Sequence, residues 1–258
     1  MKLFYRKFGQ GPKLIILHGL FGQSDNWNTH AKQFADHGFE VYTVDLRNHG
    51  LSEHNSLWDY QTMSEDIVEL IKLCNLQNII LLGHSMGGKV AMQFALDHHK
   101  LLDKLIVVDI APKYYPISNN NILQALNAVD FKIIKNRKEA ESTLSMYISE
   151  PEIKQFLLKN IYWNENAELA WRFNLKVITE KIENIGQEIS KIKKCNKPAV
   201  FIRGELSNYI LNEDFNLIQE IFPLSIIETV PNAGHWVHAE QPKYFFDCII
   251  KHISPQKF

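Results

Sequence analysis

Short runs of aliphatic and β-branched residues alternate along the chain with segments of helical periodicity. The runs at 14–17, 79–82 and 105–108 contain no polar residue, which is typical of strands buried on both faces of a parallel sheet. Further strands are predicted at 39–44, 198–204 and 226–230, with an edge strand at 3–8. Helical spacing between the runs, as at 63–71, completes the pattern. This order predicts an α/β fold, a mostly parallel central sheet with helices on both faces.

The run at 79–82 leads directly into Gly83-His84-Ser85-Met86-Gly87, which fits the pattern G-x-S-x-G. Apolar residues with helical spacing follow it, so the motif lies in the strand, sharp turn and helix that a nucleophilic serine requires. Such a turn exposes the hydroxyl at the carboxyl edge of the sheet and aims the amino end of the helix at it. We therefore predict that Ser85 is a nucleophile.

A second glycine-containing loop follows the strand at 14–17, with the sequence His18-Gly19-Leu20-Phe21-Gly22. Two glycines directly after a central strand let the backbone place an N–H beside the serine. The N–H groups of Leu20 and Met86 are therefore the predicted oxyanion-hole donors.

A serine nucleophile needs an imidazole base and a carboxylate that holds the imidazole in the productive tautomer. His235 lies in the loop after the last predicted strand, from which it can reach the serine across the sheet edge. Three other histidines are less suitable. His49 lies on the wrong loop, His84 points away if Ser85 is at the apex of the turn, and His238 is three residues further on. His235 is therefore the predicted base.

The acid is Asp109 in this interpretation, because it ends the strand next to the nucleophile strand, about 5 Å away. Two other carboxylates lie near the same edge and remain alternatives. Glu205 follows Gly204 at once, early in its loop, and Asp214 lies beside the next helix.

Residues 113–196 interrupt the alternation of strands and helices. Helical patterns dominate there, and aromatic residues are dense. We predict a helical cap at 113–196, inserted in a core formed by 1–112 and 197–258. The cap would roof an apolar pocket, and we expect Phe21, Tyr114 and Trp236 to contact the substrate. The predicted cap helices are Asn121–Val129, Arg137–Tyr147, Glu152–Lys159 and Ala167–Ile182.

Composition limits the partners and the location of the 258-residue chain. The net charge of -1 gives no reason to expect nucleic acid, and no apolar run reaches the roughly 18 residues of a membrane span. Three cysteines far from one another favour a cytoplasmic location, and their spacing predicts no metal site. Residues 1–8 are too short and polar for a signal peptide. The sequence leaves the oligomeric state open.

The motifs together resemble the α/β-hydrolase superfamily over the full length, and more narrowly the bacterial YbfF-type esterases. The residues that carry this resemblance lie at 18–22, 45–52, 83–89, 108–112 and 234–240. It implies a cytoplasmic carboxylesterase or acyl-thioester hydrolase with a helical cap and no cofactor. Many members of the superfamily carry the acid after the seventh strand, where this chain has Ser207. That departure assigns the acid role to Asp109.

The expected reaction is hydrolysis of carboxylic esters or acyl thioesters, such as acyl-CoA, through an acyl-serine intermediate. Two alternatives remain open: a cofactor-free perhydrolase or C–C bond hydrolase on the same scaffold, and a small-molecule receptor without catalysis. Fold alone does not separate them. Turnover of a short p-nitrophenyl ester would distinguish an enzyme from a receptor.

Overall fold

The computed structural model describes residues 1–117 and 121–254. Residues 118–120 of the predicted cap and 255–258 of the predicted core lie outside these ranges. The strands are β1 (Tyr5–Phe8), β2 (Lys13–Leu17), β3 (Glu40–Val44), β4 (Ile79–His84), β5 (Leu102–Val108), β6 (Ile161–Trp163), β7 (Leu169–Trp171), β8 (Ala199–Gly204) and β9 (Ser225–Val230).

The helices are α1 (Asn28–Asp36), α2 (Tyr60–Leu73), α3 (Met86–Asp97), α4 (Asn121–Ala128), α5 (Arg137–Leu144), α6 (Pro151–Leu158), α7 (Leu175–Lys181), α8 (Glu183–Gly186), α9 (Phe215–Ile221), α10 (Val237–Glu240) and α11 (Pro242–Ile253). Helices α1 and α11 pack on one face of the main sheet, and α2 and α3 pack on the other. In the described part of the chain, no helix combines the length and the apolar character needed to cross a membrane.

The main sheet of the described residues has the strand order β1-β3-β2-β4-β5-β8-β9. Only β1, at one edge, pairs antiparallel with its neighbour. Successive side chains of β2 enter opposite layers: Ile15 and Leu17 pack with α2 and α3, while Leu14 and Ile16 pack with α1 and α11. Burial on both faces explains the unbroken apolar runs. The predicted fold class is confirmed.

The parallel strands bring several loops to one edge of the sheet. The loop after β2, the turn between β4 and α3, and the segments after β5 and β8 all leave from the carboxyl ends of neighbouring strands. Register places His84 opposite Val108 and Val108 opposite Ile202. Residues far apart in sequence therefore meet beyond this edge.

The segment between β5 and β8 contains α4 to α8 and the antiparallel hairpin β6-β7. The prediction of one helix over Ala167–Ile182 was wrong in its first half. Leu169–Trp171 is a strand, paired with Ile161–Trp163, and α7 begins only at Leu175. Aromatic and β-branched residues in both short strands favour this pairing over a helix.

Lys89 of α3 joins the nucleophile helix to both ends of that segment. Its side chain is fully buried, and its ammonium nitrogen donates hydrogen bonds to the carbonyls of Lys113, at 2.7 Å, and of Gln187. The rings of Tyr60 and Tyr115 lie 5.6 and 4.8 Å from the same nitrogen. Burial lowers the pKa of Lys89 to about 7.

Candidate active site

Ser85 occupies a sharp turn between β4 and α3, with φ 52° and ψ −118°. Such a conformation costs a non-glycine residue on the order of 1–3 kcal/mol and persists only where the surroundings enforce it. The turn fits only because its neighbours are small. A Cβ on Gly87 would lie 2.6 Å from the carbonyl oxygen of His18, and one on Gly83 would collide with the carbonyl of Gly87.

His235 lies between the serine and a carboxylate. Its Nδ1 is 2.8 Å from Asp109 Oδ2, and its Nε2 is 3.0 Å from Ser85 Oγ. Because Nδ1 faces an acceptor, it carries the proton, and Nε2 is left to accept from the serine hydroxyl. The Tyr209 ring stacks on the imidazole with centroids 3.8 Å apart. This arrangement suits removal of the serine proton.

Asp109 is fully buried and directly follows β5. The backbone N–H of Gly204 donates to its Oδ1 at 3.0 Å, and Oδ2 accepts from both the Ser207 hydroxyl and His235. Each carboxylate oxygen therefore has a donor despite burial. Ser207, at the usual acid position, holds the carboxylate in place.

The two alternative carboxylates are engaged elsewhere. Glu205 accepts a hydrogen bond from the backbone N–H of Asn232 at 3.0 Å. Asp214 forms an ion pair with Lys113 at 2.7 Å and accepts from the backbone N–H of Leu211 at 2.8 Å. The structure brings Asp109, and neither of these, to His235.

The predicted oxyanion donors line the cavity that contains Ser85. The loop with Leu20 is closed by a 2.9 Å hydrogen bond from Gly22 N–H to the Gly19 carbonyl. A Cβ on Gly19 would lie 3.3 Å from the Ser85 Cβ, so this loop packs directly on the nucleophile. Within residues 1–117 and 121–254, the N–H groups of Leu20 and Met86 donate to no protein acceptor.

Several other histidines surround the site without contacting the serine hydroxyl. Burial lowers the pKa of His18 to about 4 and that of His49 and His238 to about 3. Burial also holds the pKa of His84 well below its usual value. Neutral His84 donates from Nε2 to the His235 carbonyl at 2.9 Å, and so steadies the loop that carries the base.

A cavity of about 1100 Å³ opens above Ser85. Phe21 and Trp236 line it, as the sequence predicts. Tyr114 does not belong to its lining and is 47% exposed, whereas the neighbouring Tyr115 turns inward. The Tyr115 hydroxyl accepts from Ala111 N–H at 2.9 Å and donates to the Tyr209 carbonyl, which fixes it on the cavity side.

The sequence does not predict a role for three residues of the site: Ser207, Tyr209 and Tyr115. The serine at the usual acid position indicates that the acid lies elsewhere, but not that its hydroxyl donates to that acid. Neither tyrosine is distinguished by the sequence pattern from the other aromatic residues.

Comparisons with known proteins agree with this geometry. The sequence pattern of the alpha/beta hydrolase fold family matches residues 12–242. The chain is 36% identical over 254 residues to the sn-1-specific diacylglycerol lipase of Danio rerio, covering 96% of this chain and 80% of that protein. It is 33% identical over 244 residues to esterase YbfF of Escherichia coli, covering 93% and 92%.

A solved structure is also similar throughout. The esterase of a marine microorganism superposes with a TM-score of 0.94 at 44% identity, over 97% of this chain and 98% of that one. These findings confirm the resemblance that the motifs indicated.

Proposed function

Since the chain belongs to the alpha/beta hydrolase family and is a hydrolase of ester bonds, we propose that it cleaves carboxylic esters or acyl thioesters through an acyl-Ser85 intermediate. The single observation that carries the proposal is the hydrogen-bonded series from Ser85 Oγ through His235 to Asp109. It supplies nucleophile, base and acid in the order that acyl transfer requires.

In the acylation step, Ser85 Oγ attacks the carbonyl carbon and His235 Nε2 takes the hydroxyl proton. The resulting imidazolium is stabilised by the Asp109 carboxylate. The N–H groups of Leu20 and Met86 stabilise the negative charge on the former carbonyl oxygen. Collapse breaks the bond to the alcohol or thiol, which takes its proton from His235. Water then attacks the acyl-serine and gives a proton to His235. The bond between the acyl carbon and Ser85 Oγ breaks, the carboxylic acid is released, and Oγ takes the proton back from His235.

We propose that the segment 113–196 acts as the cap of this site. Ile122, Ile153 and Phe156 of this segment line the cavity above the serine, which supports an apolar roof. The cavity volume of about 1100 Å³ accommodates a medium acyl chain. Each methylene buried there adds roughly 0.8 kcal/mol to the binding free energy of the acyl chain. The specificity constant kcat/KM should therefore rise from acetyl to longer p-nitrophenyl esters. A flat series would contradict the proposed pocket. The proposed cytoplasmic location rests on the cysteine pattern of the sequence and on the resemblance to YbfF-type esterases.

The test is covalent labelling with a fluorophosphonate, followed by peptide mass spectrometry. One adduct should form on the peptide that holds Ser85, and Ser85→Ala should remove it. Ser149 lines the same cavity, so Ser149→Ala is a matched control that should keep the adduct. The same variants should be compared on p-nitrophenyl butyrate and on an acyl-CoA.

Two outcomes would contradict the proposal. Labelling that persists in Ser85→Ala would move the nucleophile elsewhere. An enzyme that labels at Ser85 but turns over neither p-nitrophenyl butyrate nor the acyl-CoA would contradict hydrolysis of these substrates and favour a receptor.

A further inference from the structure

Three side chains of the types that bind metal ions meet on the face of the sheet covered by α11. They are Glu228 of β9 and the pair Cys248 and His252 of α11. One donor atom from each lies within 4.8 Å of the other two. Among the described residues, no other group of three or more histidine, cysteine or acidic side chains meets this criterion.

The helix and strand geometry explains the convergence. Cys248 and His252 are four residues apart, so they lie on the same face of α11. This helix packs against β9, whose Glu228 side chain reaches His252, with Nε2 and Oε1 2.8 Å apart. Cys248 is buried, and the side chains of His252 and Glu228 are only 13% and 24% exposed.

We propose that Glu228, Cys248 and His252 bind Zn²⁺ and so tie β9 to α11. Thiolate, imidazole and carboxylate are ligands that zinc accepts in tetrahedral sites. With three protein ligands the fourth position would be filled by water, unlike the closed four-ligand sites on which some small folds depend. The ligands lie outside the cavity lining and outside the proposed catalytic groups. The site is thus separate from the hydrolase chemistry.

Two lysines near the cluster oppose a cation. Lys251 Nζ is 2.9 Å from the same Glu228 oxygen, and Lys104 donates to the His252 carbonyl. The Lys251 side chain is 67% exposed, so it is free to turn into water when zinc takes its place. Burial, with Glu228 close by, raises the pKa of the Cys248 thiol to about 11. Metal binding therefore has to displace that proton.

The position of the cluster gives the metal a structural role. Glu228 precedes the loop of His235, and Cys248 and His252 follow it, so zinc would join both ends of this part of the chain. At a zinc concentration 100 times the Kd, the Tm should rise by roughly 5 °C.

The experiment uses the full chain, freed of metal with a chelator and titrated with Co²⁺ and then Zn²⁺. Cobalt bound by a thiolate produces a charge-transfer absorption in the near ultraviolet. We expect one equivalent of Co²⁺ to produce this band and one equivalent of Zn²⁺ to abolish it. Cys248→Ser should lose the band, whereas Cys195→Ser, which removes a buried cysteine elsewhere, should keep it.

A further variant separates a zinc site from a simple ion-pair network. Lys251→Gln should tighten zinc binding at least several-fold, because it removes the competing ammonium group. Absence of the band in the wild-type chain, or a band unchanged by Cys248→Ser, would overturn the proposal. So would weaker zinc binding in Lys251→Gln. His252→Gln provides a second ligand variant if Cys248→Ser does not fold.

Discussion

Replacing Asp109 with asparagine should abolish most activity while the fold is kept. The carboxylate has donors on both sides: Gly204 N–H at Oδ1, and Ser207 and His235 at Oδ2. An amide has only one oxygen. If its nitrogen faces His235, Nδ1 must become the acceptor and the proton moves to Nε2. Nε2 then donates to Ser85 and no longer accepts its proton. If the amide is turned so that its oxygen faces His235, its nitrogen faces the Gly204 N–H, and two donors then meet with no acceptor between them.

The magnitude follows from these two orientations. The wrong tautomer lowers kcat by on the order of 10⁴ in other enzymes with this triad, which corresponds to roughly 5.5 kcal/mol in the activation free energy. The turned amide instead leaves a buried donor unpaired, at a cost of about 1–3 kcal/mol in the free energy of unfolding. Ser207→Ala removes one donor of three. If the full strength of a hydrogen bond to a charged group, about 1.5–3 kcal/mol, were lost from transition-state stabilisation, kcat would fall about 10- to 150-fold.

The assay is kcat and KM on p-nitrophenyl butyrate, with circular dichroism and the urea midpoint as folding controls. The expected order of kcat is wild type, then Ser207→Ala, then Asp109→Asn. Near-normal turnover in Asp109→Asn, together with a collapse in Glu205→Gln or Asp214→Asn, would refute the reasoning and place the acid on the later loop.

Three further predictions follow from the same contacts. His235→Ala should lower kcat/KM on this ester at least as far as Asp109→Asn, by about 10⁴ or more, because the base itself is lost. His238→Ala leaves the contacts of Ser85 and Asp109 intact and should change kcat/KM less than tenfold. Equal losses would contradict this assignment. Stability in urea should fall as the pH drops from 7 to 5. Burial holds the pKa of His18 at about 4 and of His49 at about 3, below the usual 6.5, so the unfolded chain takes up protons first. The free energy of unfolding should fall by about 2 kcal/mol for each of these histidines between pH 7 and pH 5. A urea midpoint that does not change with pH would contradict this prediction. Burial lowers the pKa of Lys89 from the usual 10.5 to about 7, so the unfolded chain binds this proton between pH 7 and 10 and the folded chain does not. The free energy of unfolding should therefore rise from pH 7 to 10. Lys89→Met should flatten this rise by up to about 1.4 kcal/mol per pH unit, and an unchanged slope would show that another group titrates.

The sequence alone determined the strands of the main sheet, its mostly parallel class and the turn at Ser85, but neither the strand order nor the short strands β6 and β7. These features are local: an unbroken apolar run marks a strand buried on both faces, and small residues around a serine mark a turn that only they permit. The prediction of one helix over Ala167–Ile182 was wrong because its first half depends on a contact that is not local. Leu169–Trp171 became a strand because Ile161–Trp163 lies beside it, a contact that local periodicity does not report.

The tertiary structure decided which side chains meet at the sheet edge and along α11. Asp109 and His235 are 126 residues apart, and only the strand order and loop paths bring them within 2.8 Å. Tertiary structure also places the Ser207 hydroxyl against Asp109 and stacks the Tyr209 ring on His235. It turns Tyr115, and not Tyr114, into the cavity. The cluster of Glu228, Cys248 and His252 was likewise not indicated by the spacing of the cysteines, because Glu228 comes from a strand and the other two from a helix. Contacts of this kind depend on register and side-chain direction across elements, so residue type and spacing along one segment do not specify them.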